Sequence, residues 1–182
     1  MVNTLKYELI FIFLFLPVIL FFFNFTGLIF LTLIGIFFLT FKILRNDKKF
    51  KFGILKKKID WKFCILFFVI FLISGFIYTL IFEKESLLQL PEENPILWII
   101  ILFFYPLISV IPQEFIYRVF FFHRYQILFN NKIYLIVCNL IMFSFAHIVF
   151  QNFHAIFITA LVSPIFAIAY LKKSFLTCLI IH

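Results

Sequence analysis

Residues 112–118 read Pro-Gln-Glu-Phe-Ile-Tyr-Arg, a polar knot inside one of the most apolar stretches of the chain. Glu114 and Arg118 are four apart, so on a helix they share a face. There the guanidinium can hold the carboxylate ionised and oriented. Gln113 and Tyr117 flank that face, and Tyr125 lies further along it. A second polar point, His147, lies in the next hydrophobic run. A carboxylate and an imidazole that meet in hydrocarbon can share a water. The carboxylate accepts a proton as the water attacks, and either group returns it to a leaving amine. Ionisable residues are disfavoured in lipid, so their presence marks a site. The blander alternatives are an intrahelical ion pair that neutralises two awkward residues, and a histidine that merely bonds a neighbouring helix.

Spacing favours the first reading. Glu114 lies sixteen positions before Asn130, and His147 sixteen after Asn131. In an antiparallel hairpin turning at Asn130–Asn131 the two side chains reach the same depth. With the membrane surface near Arg124, Glu114 is ten residues inward. That is roughly 15 Å at the helical rise, close to the bilayer centre. On the second arm Ser144, His147, Gln151 and His154 form a polar stripe if the helix continues, with Asn139 about two turns before His147.

The elements that hold these residues are membrane helices. Hydrophobic residues make up 65% of the 182, Phe alone contributes 33, and charged residues are only 13%. A soluble domain of this size cannot hide so much apolar surface, so lipid must solvate it. The net charge of +8 resides between apolar runs, which makes it a topology signal and not a nucleic-acid footprint. Cys64, Cys138 and Cys178 are isolated in apolar runs, without metal or disulfide spacing, and read as small buried hydrophobes.

The expected fold is all-α: a polytopic bundle of about six full spans and the beginning of a seventh. Leu9–Phe25 and Leu28–Leu44 are the first two spans, with a tight turn near Asn24–Gly27 and a kink at Pro17. Lys6 precedes the first run, but no small-residue cleavage site follows, so it reads as a retained span and not a signal peptide. Residues 45–62 hold eight Lys and Arg, which places that loop in the cytoplasm. Phe63–Phe82 is the third span, and Glu83–Pro95 an acidic outer loop. Residues 96–130 are too long for one straight span and awkward as two. Basic His123, Arg124, Lys132, Lys172 and Lys173 favour one net crossing, broken at Pro106 and Pro112, with Ile96–Phe104 oblique or interfacial. Ile133–Phe150 and Ala155–Leu171 complete six, and Ser174–His182 begins the seventh, too short to cross. Three sections result: 1–62 with the basic loop, 63–95, and a core, 96–182, that looks clipped at its C-terminal end.

Three segments of that core resemble the CPBP family, which contains CAAX-type prenyl-protein endopeptidases and bacterial Abi-like proteins of bacteriocin processing or immunity. Gln113-Glu114-Phe115-Ile116-Tyr117-Arg118 resembles the family's Glu-Glu-x-x-x-Arg motif. Phe143-Ser144-Phe145-Ala146-His147 is similar to its Phe-x-x-x-His motif, and His182 stands where its third motif has a histidine. The resemblance implies an intramembrane endopeptidase of the bacterial plasma membrane. Its partners would be the bilayer and a peptide or lipidated protein substrate. It implies Glu114 and His147 as the groups that activate water, Arg118 as the orienter of Glu114, and His182 as an oxyanion donor, with Gln113, Tyr117 and Phe143 in support. Family members are often described as metalloproteases. Glu114, His147 and His182 could bind zinc in principle, but they do not form a His-Glu-x-x-His helix, and metal-free water activation is the expectation.

Two departures from the family pattern keep an alternative open. Gln113 replaces the first glutamate of the pair, and an amide is no useful base. The Asn or Asp that follows the third-motif histidine by four residues in the family is missing, since the sequence stops at His182. Either Glu114 has taken the base role, or the chain is a weakened or inactive relative that acts as a membrane binding or immunity protein. A transporter fragment with Glu114 as proton relay is a third class, unsupported by any repeated half.

Overall fold

The computed structural model describes residues 2–23, 26–82 and 88–182. It is helical, with six helices long and apolar enough to cross a membrane: α1 (Val2–Phe23), α2 (Gly27–Asn46), α3 (Trp61–Phe82), α4 (Pro95–Leu128), α5 (Lys132–Phe150) and α6 (Phe153–Lys173). A shorter α7 (Phe175–Ile181) follows. The expected turn at Asn24–Gly27 and the Glu83–Glu85 part of the acidic loop lie outside the described residues. Lipid explains the surface. Along α3 most side chains are exposed and apolar, which is stable only against acyl chains.

Side-chain caps define the later helices. Asn131 accepts from the Ile133 N–H at 2.8 Å, Asn152 from His154 N–H at 2.9 Å and Ser174 from Thr177 N–H at 3.0 Å. Each satisfies a backbone donor that the first turn of a helix leaves free. The Asn130–Asn131 hairpin thus has a local cause, the capping amide of Asn131.

Residues 95–128 form one continuous helix and not a helix broken at its prolines. The ladder widens into π turns over Pro106–Val110 and Phe115–Phe120. Neither proline has an N–H to give, and each ring would press on the carbonyl four residues back. A π turn shifts the bonding to i→i+5 and relieves that clash without ending the helix. At Pro17 the same device, a π turn over Phe11–Phe15, stands directly before the proline. At 34 residues α4 is about 50 Å long and must tilt or project from a core about 30 Å thick.

Burial along α4 is uneven. Ile96–Leu107 is exposed, whereas Pro112–Phe122 is buried throughout. The buried half is the bundle axis. Phe13 of α1 meets Tyr117, Phe121 and Tyr125 edge-on at 5.1–5.9 Å. Phe37 of α2 meets Phe115 at 5.1 Å, Phe143 of α5 meets Tyr117 at 5.0 Å, and Tyr170 of α6 stacks on Phe122 at 5.8 Å.

Three ion pairs gather the loops at one end. His123 reaches Asp47 at 2.9 Å, Lys173 reaches Asp60 at 2.7 Å, and Arg124 grips Glu8 with two bonds of 3.1 and 2.9 Å. The basic loop, the end of α4 and the α6–α7 junction therefore share one side, which makes α4 a single crossing. Hydrogen bonding from His123 and the Lys49 N–H holds the Asp47 carboxyl below the usual carboxylate range. Lys173 and the Phe63 N–H do the same to Asp60.

Candidate functional site

Glu114 and Arg118 lie at the centre of the bundle, both 0% exposed. Arg118 Nε stands 3.3 Å from Glu114 Oε2. The guanidinium also donates to Asn139 Oδ1, and Asn139 Nδ2 donates to the Tyr117 carbonyl at 2.7 Å. Its carbon lies 4.7 Å over the Phe143 ring and 5.8 Å from Phe166, a cation–π seat for a charge removed from water. Nε and Nη2 have no hydrogen-bond acceptor of their own, so Coulomb attraction to Glu114 and the two rings must hold that side of the group.

The carboxylate is engaged on both oxygens. His182 Nδ1–H donates to Oε1 at 2.7 Å, and the Cys178 thiol donates to Oε2 at 2.8 Å. Residues 178 and 182 are one helical turn apart, so α7 presents both to Glu114 from a single face. Phe166 stacks on the His182 ring at 4.8 Å and fixes its plane. Asn139 and Cys178 are participants that the sequence did not assign. The i, i+4 spacing of Cys178 and His182 was the available signal, hidden because a cysteine in an apolar run reads as packing.

His147 is placed elsewhere. Its Nδ1–H donates to the Phe143 carbonyl at 2.8 Å, which fixes the tautomer and leaves Nε2 as an acceptor. No hydrogen bond joins His147 to Glu114 among the described residues. His147 instead borders a cavity of about 80 Å³ with Gln113 and Tyr117, walled by Ile12, Leu16 and Leu33 of α1 and α2. Room of that size admits water. Gln113 Nε2 donates to Ser109 Oγ at 2.7 Å, while its Oε1 is buried without a partner. The two neighbours Gln113 and Glu114 therefore serve different places, as residues about 100° apart on a helix must. Phe143 lies between them: its ring meets His147 edge-on at 5.0 Å and His182 at 6.1 Å.

The polar stripe expected on α5 does not form. The helix tightens into a 3₁₀ turn at His147–Phe150, and Gln151 ends it in the left-handed region with φ of 51°. Gln151 and His154 thus leave the face they would share on an α-helix. Gln151 donates to the Phe21 carbonyl, and His154 meets the Tyr78 hydroxyl. Tyr125 does not face the site either, since its hydroxyl donates to Glu8 at 3.0 Å.

Among the described residues, no three His, Cys, Asp or Glu side chains form a metal-ligating group. Of Glu114, His147 and His182, the first and last meet at 2.7 Å, while His147 is hydrogen-bonded to neither. No curated protein and no solved structure matches the chain. The family model that does match, type II CAAX prenyl endopeptidase Rce1-like, covers residues 95–182 and so takes in Gln113, Glu114, Arg118, Asn139, His147, Cys178 and His182.

Proposed function

We propose that this chain hydrolyses a peptide bond of a membrane-associated or lipidated protein tail, with His147 as the general base. One observation carries the reading: His147 and Gln113 border a single cavity, with the imidazole Nε2 and the amide Oε1 both free to accept. A water there donates one hydrogen to each. As its oxygen attacks the scissile carbonyl, His147 takes the proton and later returns it to the leaving amine. Gln113 aligns the water and needs no basicity of its own. His182 serves the developing oxyanion, and Glu114 orients its ring through Nδ1. Arg118 and Asn139 fix Glu114 and never touch substrate. Glu114 is then a positioning residue, in place of the direct base that its sequence position suggested.

The step needs no metal. A zinc ion drawing on Glu114 would have to displace two hydrogen bonds and lie beside the Arg118 guanidinium. The test is cleavage of peptides with CAAX-type ends, prenylated and not, by purified wild type and variants in liposomes. His147→Ala should lose about 100- to 10,000-fold in kcat. His182→Ala should lose about 100- to 1,000-fold. Chelators should change nothing. Wild-type rates in both variants would end the proposal.

Gln113 favours a second reading, a relative that binds a membrane protein without cutting it. It predicts that wild type and Gln113→Glu are both inert, while capture of the peptide persists in both.

A further inference from the structure

The loop end of the bundle carries a cluster unrelated to the buried site. Lys58, Lys62 and Lys172 line an open depression of about 520 Å³ together with Asp60, Trp61 and Lys173. The single carboxylate there is used internally. Lys173 Nζ donates to Asp60 Oδ2 at 2.7 Å, and Oδ1 accepts from Phe63 N–H at 3.0 Å. Among the described residues, Lys58, Lys62 and Lys172 are exposed and have no acidic partner. Three like charges around one concavity repel each other unless an anion joins them.

The position selects the anion. α3 begins at Trp61, whose indole is 59% exposed, and within the next two turns Ile65, Leu66 and Phe68 face outward to lipid. Tryptophan at the end of an apolar helix marks the headgroup level. The lysines therefore stand where phospholipid phosphates lie, beside acyl chains that the exposed face of α3 already contacts.

The depression is also tied to α7. The Asp60 N–H donates to Thr177 Oγ1 at 2.9 Å, and Thr177 Oγ1 lies 2.8 Å from the Ser174 hydroxyl that caps the helix. Lys172 and Lys173 immediately precede that cap. His182 follows five residues after Thr177.

We propose that the depression formed by Lys58, Lys62 and Lys172 binds the anionic headgroup of a membrane phospholipid, and that its occupancy steadies α7. Phosphate oxygens replace mutual repulsion with three charge-assisted contacts and clamp the α6–α7 junction to the start of α3. This holds whether or not the chain is a peptidase.

The test uses the full chain in nanodiscs of phosphatidylcholine, with and without phosphatidylglycerol. Native mass spectrometry reads retained lipid, and amide exchange reads residues 175–181. Wild type should retain phosphatidylglycerol over phosphatidylcholine, and α7 amides should exchange more slowly when it is present. Lys58→Gln, Lys62→Gln and Lys172→Gln together should cut the preference about 100-fold, near fivefold per lysine. The three Arg replacements should keep it. A control that removes equal charge elsewhere, Lys6→Gln with Lys48→Gln and Lys51→Gln, should change it less than about threefold, and free phosphate should not mimic the lipid. Equal losses in the two Gln sets would reduce the effect to diffuse charge. Protection by free phosphate would make it a soluble-anion site. Exchange indifferent to the lipid would break the link to α7. Each of these results overturns the proposal.

Discussion

Replacing Glu114 by Gln leaves the Arg118 guanidinium charged at a position with 0% exposure, and this is the sharpest energetic consequence of the site. At the observed 3.3 Å the pair attracts by about 5 kcal/mol for an effective dielectric of about 20. Asn139 and the rings of Phe143 and Phe166 remain after the change. Those contacts are present before and after the change, so they cancel in the difference and the loss is that of the carboxylate alone. Glu114→Gln should therefore destabilise by about 3–5 kcal/mol, as expected when one partner of a buried pair is removed. Arg118→Met should be milder, about 2–3 kcal/mol, because the stranded carboxylate keeps the His182 and Cys178 donors. The double variant has no unpaired charge. It should be about as stable as Arg118→Met alone, with a coupling of about 3–5 kcal/mol. Reversible unfolding of the four proteins in one detergent by SDS titration supplies the cycle. Additivity to within about 0.5 kcal/mol would refute the reasoning, since it would mean the two charges do not rely on each other.

Other outcomes follow from the same geometry. Asn139→Leu removes the acceptor of Arg118 and the donor to the Tyr117 carbonyl together, so about 2–4 kcal/mol should be lost in the same titration. Asp47 and Asp60 have carboxyls held below their unfolded value, so the stability they contribute is present above about pH 4 and lost as pH falls through the depressed folded values. The unfolding midpoint should fall below about pH 4, and Asp47→Asn with Asp60→Asn should flatten that decline.

The fold class was legible because lipid leaves so few choices. Apolar runs of span length must be helical. The crossing of 95–128 was legible from charge, but its internal form was not. Proline chemistry says that a normal turn must yield at Pro106 and Pro112, without saying whether the helix breaks or widens. Residue spacing also paired Glu114 with Arg118, as found. It could not tell which of two adjacent residues faces the histidine of α5. That depends on helix phase, which two π turns alter locally. His182 and Cys178 were hard to place for a different reason: their partner is 64–68 residues away in sequence, and only tertiary packing of α7 against α4 brings them to Glu114.

The division of labour between Gln113 and Glu114 follows from the same phase. A base that works on water must shuttle between neutral and charged forms, and a fully paired carboxylate beside a fixed arginine is poorly suited to that. In the proposed mechanism Glu114, held beside Arg118, backs His182 as the oxyanion donor. His147 has no such partner within hydrogen-bonding reach among the described residues, and its Nδ1 is committed to a backbone carbonyl. That leaves Nε2 for the proton the proposed step abstracts. Phe143 touches both imidazoles with its edge, and its face is spent on the arginine. In the proposed mechanism the residue beside the attacking water needs an oxygen that accepts, and the amide of Gln113, whose Oε1 has no other partner, supplies one.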